Sequence, residues 1–330
     1  MTQLVTIFGG SGFVGRYIAR RMAKAGWRVR VAVRRPNQAL HVKPYGSVGQ
    51  VEPVFCNIRD DASVRAVMQG ADAVVNCVGI LGEVGRNRFD AVQAEGAGRI
   101  ARIAAELQIA RMVHVSAIGA DAQSDSKYQR SKAEGEAQVL QHFPAAVILR
   151  PSVIFGVEDQ FFNRFAAMTR FSPFLPVVGA DTRFQPVYVD DVAKAAEAAL
   201  CRDVVAGVYE LGGPDTATFR ELMQTMLAEI RRHRVILNVP FFVAGLMGGA
   251  LDIAQKLSLG LFTNTVLTRD QVRNLQRDNL ASDDMPGLAA LDITPTPMSS
   301  VLPSYLWVHR QGGQYKAIHE SAARLRDTQN

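Results

Sequence analysis

Residues 6–22 read TIFGGSGFVGRYIARRM, and this stretch decides the fold. A short apolar run ending at Phe8 is followed by the spacing Gly9-x-x-Gly12-x-x-Gly15 and then by a helical pattern. Glycines let a pyrophosphate approach the backbone, and the free N–H groups and positive dipole end of a helix N-terminus favour its charge. A glycine trio alone also fits a merely structural turn. At the first strand-to-helix turn it predicts a dinucleotide-binding loop made of Gly9, Gly10, Ser11, Gly12, Phe13, Val14 and Gly15.

Short β-branched segments alternate with helical patterns along the first half of the chain. Such segments, joined by helical connections, form a parallel sheet with right-handed crossovers. We therefore predict an α/β protein with a Rossmann-type doubly wound parallel sheet. Its strands are expected at 4–8, 29–33, 51–55, 71–78, 111–116 and 145–150, and a strand at 207–213 is expected to return to it.

The character of the sequence changes after Arg150. FSPFLPVVG (171–179), with its two prolines, predicts a loop, and the helix that follows RFQPVYV (183–189) is expected to be capped by Asp190 or Asp191. From about Pro214 onward, helices are expected to alternate with proline-containing loops. We predict a nucleotide-binding domain at 1–210, with 151–186 contributing to the second domain, and a smaller, mainly helical C-terminal domain at 211–330.

Composition limits the function classes. The net charge of +6 is spread along the chain without the dense basic patch that nucleic acid requires, so we expect no nucleic-acid partner. A phosphorylated cofactor or an anionic membrane surface fits this charge better. Cys56, Cys77 and Cys201 show no CxxC spacing, which predicts reduced thiols and no metal site. The first strand begins near Leu4, so we expect no signal or transit peptide and a cytoplasmic bacterial protein.

The segment 240–262, PFFVAGLMGGALDIAQKLSLGLF, contains an apolar run from 241 to 251. A run of this length is too short to cross a bilayer, which needs about 20 apolar residues. Two interpretations remain open. The segment is either a helix buried in the second domain or against a partner, or an amphipathic element that contacts anionic lipid at a membrane surface.

Residues at the ends of the predicted strands indicate which nucleotide is bound. The second strand ends VAVRRP, with Arg34 and Arg35 where an NAD site usually carries an acid. A guanidinium matches a 2′-phosphate, which favours NADPH over NADH, although Arg35 in particular also fits a solvated loop charge. Asn57, with Ile58, is expected at the adenine, or else is a plain turn residue. The ribose side is expected to be lined by Cys77, Val78 and Gly79.

The stretch KYQRSK (127–132) places Tyr128 and Lys132 four residues apart, on one face of a predicted helix. A lysine in this position can hold a phenol near deprotonation for proton transfer. The alternatives are a pair that holds a cofactor without turning over a substrate, and a pair of ordinary surface residues. Arg150 and Pro151 either border the nicotinamide pocket or form a strand end followed by a turn.

Together these motifs resemble the extended and atypical short-chain dehydrogenase/reductase superfamily. The matching stretches are GGSGFVG, YQRSK, LRPSVIFG, PVYVDDVAKA and YELGGP, over about two-thirds of the chain. HVSAIGAD, KYQRSKAEGE and the C-terminal LTRDQVRNLQRDN and ITPTPMSSVLPSYL are similar to a narrower family, the nucleotide-binding accessory subunits of respiratory complex I. That resemblance implies a structural NADPH, a peripheral position on the cytoplasmic face of the bacterial inner membrane, and partner subunits near the junction of the peripheral and membrane arms.

In active members of the superfamily, the tyrosine exchanges a proton with the substrate, the lysine lowers the pKa of that tyrosine and holds the ribose, and a serine or threonine positions the substrate oxygen. Tyr128 and Lys132 match these roles. Ser116 ends its strand but is followed by Ala117 and Ile118 rather than by further hydroxyl residues. This departure from the pattern implies a vestigial catalytic set.

Three functions follow from these observations. The first is a non-catalytic, NADP(H)-holding accessory subunit of complex I. The second is a free NADP-dependent reductase, epimerase or dehydratase acting on a nucleotide sugar, a sterol-like molecule or a quinone precursor. The third is a sensor of the NADPH/NADP ratio, which requires nucleotide exchange on a useful timescale.

Overall fold

The computed structural model of the protein describes residues 2–257 and 268–313. In chain order its strands are β1 (Leu4–Phe8), β2 (Arg28–Val33), β3 (Val51–Phe55), β4 (Ala73–Asn76), β5 (Arg111–Val115), β6 (Val147–Pro151), β7 (Ile154–Phe155), β8 (Phe174–Val178), β9 (Arg183–Phe184), β10 (Val187–Tyr188), β11 (Gly207–Leu211), β12 (Ala217–Thr218) and β13 (Val235–Val239). Seven of them form one parallel sheet in the order β3-β2-β1-β4-β5-β6-β11. The predicted doubly wound sheet is confirmed, as is the return of the strand at 207.

The described helices are α1 (Phe13–Lys24), α2 (Asp61–Met68), α3 (Glu95–Glu106), α4 (Lys127–His142), α5 (Phe162–Met168), α6 (Val189–Cys201), α7 (Phe219–Glu229), α8 (Phe241–Leu257), α9 (Arg269–Asn274) and α10 (Met298–Leu306). Helices α1 and α6 cover one face of the sheet, and α2, α3 and α4 cover the other. Successive side chains of β1 point to opposite faces of the sheet. Val5 and Ile7 therefore pack in the core under α1 and α6, and Phe8 packs in the core under α2, α3 and α4.

A second core lies beside the sheet and defines what we call the second lobe. Helices α5, α7 and α10 pack there with the β8–β13 ribbon, and Phe161 stacks on Phe219 at a centroid distance of 5.5 Å. Segments before and after β11 both supply this core. The contribution of 151–186 to a second domain remains a prediction. The domain boundary near residue 210 remains a prediction.

Three expectations about the second half were wrong. FSPFLPVVG is not only a loop, because its residues 174–178 form β8, paired in parallel with β13. The region after Pro214 likewise contains strands β12 and β13 besides its helices. Neither Asp190 nor Asp191 caps α6, since the helix begins at Val189 and both carboxylates lie inside its first turn. Asp190 instead binds Arg21 of α1, with Nε–Oδ1 at 2.8 Å and Nη2–Oδ2 at 2.6 Å.

Helix α8 covers most of the segment 240–262, of which residues 258–262 lie outside the described part of the chain. Ala244 and Gly248 are buried, whereas Phe242, Val243, Leu246 and Met247 form an exposed apolar face. Within residues 2–257 and 268–313 no helix is long and apolar enough to cross a membrane. All three cysteines are free thiols.

Candidate nucleotide site

The strand order reverses between β1 and β4, which are neighbours in the sheet although helices from opposite faces follow them. In open α/β sheets the crevice at such a switch point, beyond the carboxyl ends of the strands, is where ligands bind. Gly9 follows β1 directly, and Cys77 and Val78 follow β4. A Cβ atom built on Gly9 would lie 3.2 Å from the Cys77 carbonyl and 3.3 Å from a Val78 methyl. The two predicted segments therefore meet at this point.

Two positions of the glycine loop, Gly9 and Gly15, do not accommodate a residue with a side chain. Gly9 has a φ of +72°, a conformation that L-residues rarely adopt. A Cβ on Gly15 would lie 2.4 Å from the Gly9 carbonyl oxygen and 2.7 Å from the Gly10 Cα. Helix α1 begins after Gly12 without a side-chain cap and with no acidic residue in its first turn. Its N-terminal N–H groups and dipole are thus open to an anion.

Arg34 and Arg35 follow the carboxyl end of β2, and both side chains are exposed. Neither guanidinium group makes a hydrogen bond or ion pair with any residue in the described ranges. Two guanidinium groups without carboxylate partners at this strand end suit a phosphorylated ribose.

Asn57 and Ile58 follow β3 and are both half-buried. The Asn57 side-chain oxygen accepts from the N–H of Arg59 at 3.2 Å, so this residue does shape a turn. Ile58 packs against α3, where its Cδ1 would lie 3.1 Å from a Cβ on Gly96. Gly79, after β4, lies beside the predicted catalytic pair, because a Cβ there would be 3.5 Å from Lys132 Nζ.

Lys132 is buried on α4, with 4% of its surface exposed, and its Nζ donates to the carbonyl of Val115 at 3.3 Å. Burial lowers the pKa of this lysine to about 8. The Nζ lies 6.0 Å from the centroid of the Tyr128 ring, which packs edge-on against Phe89. Burial raises the pKa of Tyr128 to about 12, the opposite of what an active proton donor in this superfamily needs. The phenol is therefore protonated at neutral pH.

Ser116 follows β5 with its Oγ buried and without a hydrogen-bond partner in the described residues. The other two hydroxyls of this loop have structural tasks: Ser124 Oγ donates to Gln129 at 2.5 Å, and Ser126 caps α4. Within residues 2–257 and 268–313 no serine hydroxyl bonds the Tyr128 phenol, and Ser131 Oγ donates instead to the Tyr128 backbone carbonyl at 2.8 Å. Ser116, the predicted third catalytic residue, thus lies at the expected strand end but makes no hydrogen bond to Tyr128.

Sequence reasoning missed two buried polar side chains near this pair. Gln93 Oε1 and His114 Nε2 also lack partners in the described chain. Gln93 borders Gly79 and donates to Ser131 at 3.3 Å, and His114 pairs with Asn76 at 3.1 Å. Burial lowers the pKa of His114 to about 3, so it is neutral. A histidine inside the apolar strand RMVHV was the only available signal. Buried polar atoms of this kind need a partner such as an ordered water, an ion or a ligand.

Arg150 lies at the end of β6, but its guanidinium is engaged. It binds Glu136 of α4 with Nη2–Oε2 at 2.6 Å and Glu210 of β11 with Nη1–Oε1 at 3.4 Å. Pro151 follows it as a buried residue of the strand. The ion pairs tie α4 to the sheet, so Arg150 braces the helix that carries Tyr128 and Lys132.

The sheet, the glycine loop and the Tyr-x-x-x-Lys helix lie in a part of the chain that matches a known protein family. The NAD dependent epimerase/dehydratase family matches residues 5–212. The chain belongs to this family. Its members are nicotinamide-nucleotide proteins, and the predicted resemblance to the short-chain dehydrogenase/reductase superfamily is confirmed.

Relatives extend the match beyond residue 212. NADH dehydrogenase (ubiquinone) 1 alpha subcomplex subunit 9 of Arabidopsis thaliana mitochondria is 36% identical over 316 residues, which cover 94% of this chain and 79% of the relative. A ceramide reductase of Caulobacter vibrioides is 34% identical over 67% of this chain and 68% of the relative. The solved dTDP-glucose 4,6-dehydratase of Streptomyces venezuelae superimposes with a TM-score of 0.70 at 19% identity, covering 92% of this chain and 96% of that one. The narrower resemblance, to complex I accessory subunits, is confirmed as well.

Proposed function

We propose that this chain is an NADP(H)-binding, non-catalytic accessory and assembly subunit of a respiratory NADH:quinone oxidoreductase, complex I, in which the nucleotide is structural. The observation that carries the proposal is the 36% identity to the Arabidopsis complex I subunit over 94% of the chain. The general family covers only residues 5–212, whereas this similarity continues through the second lobe. The second lobe is the part expected to meet partner subunits.

The state of the predicted catalytic residues supports an idle cofactor. The pKa of Tyr128 is raised rather than lowered, and the Ser116 hydroxyl makes no bond to it. Lys132, in contrast, keeps donor capacity, because its ammonium group has three hydrogens and one acceptor among the described residues, the Val115 carbonyl. A buried lysine in this state suits the hydroxyls of a ribose. The pair therefore fits a clamp for the nucleotide better than a proton relay.

The exposed, unpaired Arg34 and Arg35 support NADP(H) as the nucleotide. In the proposal, residues 9–15 hold the pyrophosphate, Arg34 and Arg35 the 2′-phosphate, Asn57 and Ile58 the adenine, and residues 77–79 with Ser116, Tyr128, Lys132 and Pro151 the nicotinamide end. When bound, a nicotinamide supplies hydride transfer to active members of the family. Here its role is to stabilise the folded protein, since a ligand that binds only the native state shifts the folding equilibrium by mass action.

The proposed place of work is the cytoplasmic face of the bacterial inner membrane, near the junction of the peripheral and membrane arms of complex I. The exposed face of α8, with Phe242, Val243, Leu246 and Met247, supports such a contact. An apolar helical face of this kind suits either a partner subunit or the boundary of an anionic lipid layer.

Nucleotide retention tests the proposal. The purified protein is denatured, and the released nucleotide is counted and identified by mass spectrometry. The proposal predicts about one NADP(H) per chain, retained through gel filtration, and no difference between wild type and Tyr128→Phe in nucleotide content. Purification without nucleotide, or rapid exchange with added NADPH, would overturn the structural role; rapid exchange would favour the sensor.

A second candidate function has an observation of its own. The 34% identity to the Caulobacter ceramide reductase supports a carbonyl reductase of the extended short-chain type, with Tyr128 as proton donor and Lys132 at the ribose. This candidate predicts NADPH oxidation with a carbonyl substrate that is lost in Tyr128→Phe. The accessory-subunit proposal predicts no such turnover.

A further inference from the structure

Helix α9, which is followed by Leu275 packed against the second-lobe core, lies against the rim of the Tyr128 site. The carboxylate of Asp270 accepts three hydrogen bonds from the start of α4: from Ser126 Oγ at 2.8 Å, from the Lys127 N–H at 2.8 Å and from the Tyr128 N–H at 3.1 Å. About 140 residues of chain separate the two elements. The sequence offers no sign of this contact.

Asp270 completes the N-terminus of α4. The first N–H groups of a helix have no intrahelical acceptor and must find another. Ser126, the N-cap residue, serves only the N–H of Gln129, at 3.3 Å, and the first turn of α4 contains no acidic residue. Asp270 supplies both the missing acceptors and the negative charge that the positive end of the helix dipole favours. One of its bonds goes to the backbone of Tyr128 itself, one turn before Lys132.

Further contacts fasten α9 and the turn after it to the same rim. Arg273 donates to the backbone carbonyl of Asp125 at 3.1 Å, and Arg277 binds the carboxylate of Asp121 at 3.3 Å. Asp121 and Asp125 belong to the loop between Ser116 and α4. The second lobe therefore holds both the loop and the first turn of the helix.

Helix α9 is also joined to the apolar helix α8. The N–H of Arg269 donates to Asp252 at 3.1 Å. At Gly248 a Cβ would lie 3.0 Å from the Arg269 nitrogen and 3.1 Å from the Thr268 carbonyl carbon, so the two elements pack backbone to backbone. A rigid contact of this kind passes a displacement of α8 on to Asp270.

From these contacts we infer that Asp270 is a positioning residue that couples the nicotinamide end of the nucleotide site to the α8–α9 element. The inference rests on the proposed nucleotide binding. By placing the first turn of α4, Asp270 sets where Tyr128 and Lys132 meet the ligand, and the adenine end of the site is left untouched. Because coupling between sites is reciprocal, the bound nicotinamide end in turn fixes α9 and the α8 face that is offered to a partner.

Two probes separate this role from general stability. NADPH occupies the whole site, whereas adenosine 2′,5′-bisphosphate carries only the adenine end with its 2′-phosphate. For Asp270→Ala we expect the Kd of NADPH to rise roughly tenfold, the size of a lost helix cap, and that of the bisphosphate to stay within about twofold. Asp278→Ala is the matched control, since Asp278 lies on the same segment but binds Arg183. It should leave both constants unchanged.

Amide hydrogen exchange of the wild-type protein measures the same coupling between the nucleotide site and α9 without any substitution. NADPH should slow exchange of the amides in 268–277, and the bisphosphate should not. An unchanged NADPH Kd in Asp270→Ala, an equal loss of both ligands, or equal protection of 268–277 by both would overturn the inference. If the wild type binds neither probe, the proposed function itself fails, and this outcome differs from all three.

Discussion

The ammonium group of Lys132 is buried beneath Tyr128, 3.3 Å from the carbonyl oxygen of Val115, and among the described residues it makes one hydrogen bond where it can make three. A buried amine with unused donors destabilises the nucleotide-free protein and prepares it for a ligand rich in hydroxyl groups. This relationship underlies the first two predictions.

Lys132→Met should separate nucleotide binding from folding. The substitution keeps an unbranched side chain and removes the buried charge, so the nucleotide-free protein should be at least as stable as the wild type. The Kd of NADPH should rise roughly tenfold to a hundredfold, the usual size of a hydrogen bond from a charged group. Thermal melts with and without NADPH measure both effects. A variant that melts lower and binds as tightly would contradict the clamp.

The pH dependence of stability should report the titration of Lys132. The pKa of Lys132 is about 8 in the folded protein and 10.5 in the unfolded chain, so above pH 8 the unfolded chain holds a proton that the native state has released. The free energy of unfolding of the wild type, relative to Lys132→Met, should rise from pH 8 to 9.5 by at most about 1.4 kcal/mol per unit.

The comparison with Lys132→Met is essential, because Cys56, Cys77 and Tyr128 titrate in the same alkaline range and contribute equally to both proteins. Below about pH 7, where the native lysine is also protonated, the difference between the two should be flat. Urea titrations at half-unit steps provide the measurement, and a difference that stays flat up to pH 9.5 would show that Lys132 is not held in a desolvated state.

Arg34→Ala should change which nucleotide is preferred. A guanidinium paired with a 2′-phosphate is a charge-assisted contact, so we expect NADPH binding to weaken about tenfold or more while NADH binding stays the same. Arg35→Ala, one residue along the same loop, is the matched control and should have the smaller effect. Competition binding of both nucleotides to each variant tests this. Equal weakening of NADPH and NADH would place Arg34 outside the 2′-phosphate site.

Gly15→Ala should destroy the phosphate loop. The added Cβ would meet the Gly9 carbonyl oxygen at 2.4 Å and the Gly10 Cα at 2.7 Å, and backbone atoms cannot yield as a flexible side chain can. We expect loss of nucleotide binding and a lower melting temperature. Gly245→Ala adds the same methyl group to α8 where, among the described residues, no heavy atom outside its chain neighbours and the helix's own backbone lies within 4 Å, and should leave nucleotide binding intact. A Gly15→Ala protein that retains NADPH would refute the assigned loop.

The parallel sheet and the glycine loop could be predicted because local patterns determine them. Strand β1 is buried over residues 5–8 and β2 over its apolar end, residues 31–33, and a strand followed by spaced glycines has few structural solutions. Tyr128 and Lys132 could be paired because i,i+4 residues share a helical face.

The remaining features depend on contacts between distant residues. Strand β8 contains Pro176, which is tolerated because a two-stranded ribbon consists of edge strands only. Asp190 looked like a cap, yet Arg21, 169 residues earlier, is its partner. The bonds of Asp270 to α4 likewise appear only when the second lobe is placed. No pattern in the sequence indicates which carboxylate will meet a given helix end.

The central claim, a structural nucleotide in a complex I accessory subunit, is tested most directly on mildly solubilised membranes of the source cell. Native electrophoresis followed by mass spectrometry shows where the chain migrates and what it carries. We predict that it migrates at constant stoichiometry with NADH:quinone oxidoreductase activity, retains NADP(H), and keeps the redox state of that nucleotide unchanged while the complex turns over NADH and quinone. A chain found only as a free monomer or dimer, away from that activity, would contradict the account.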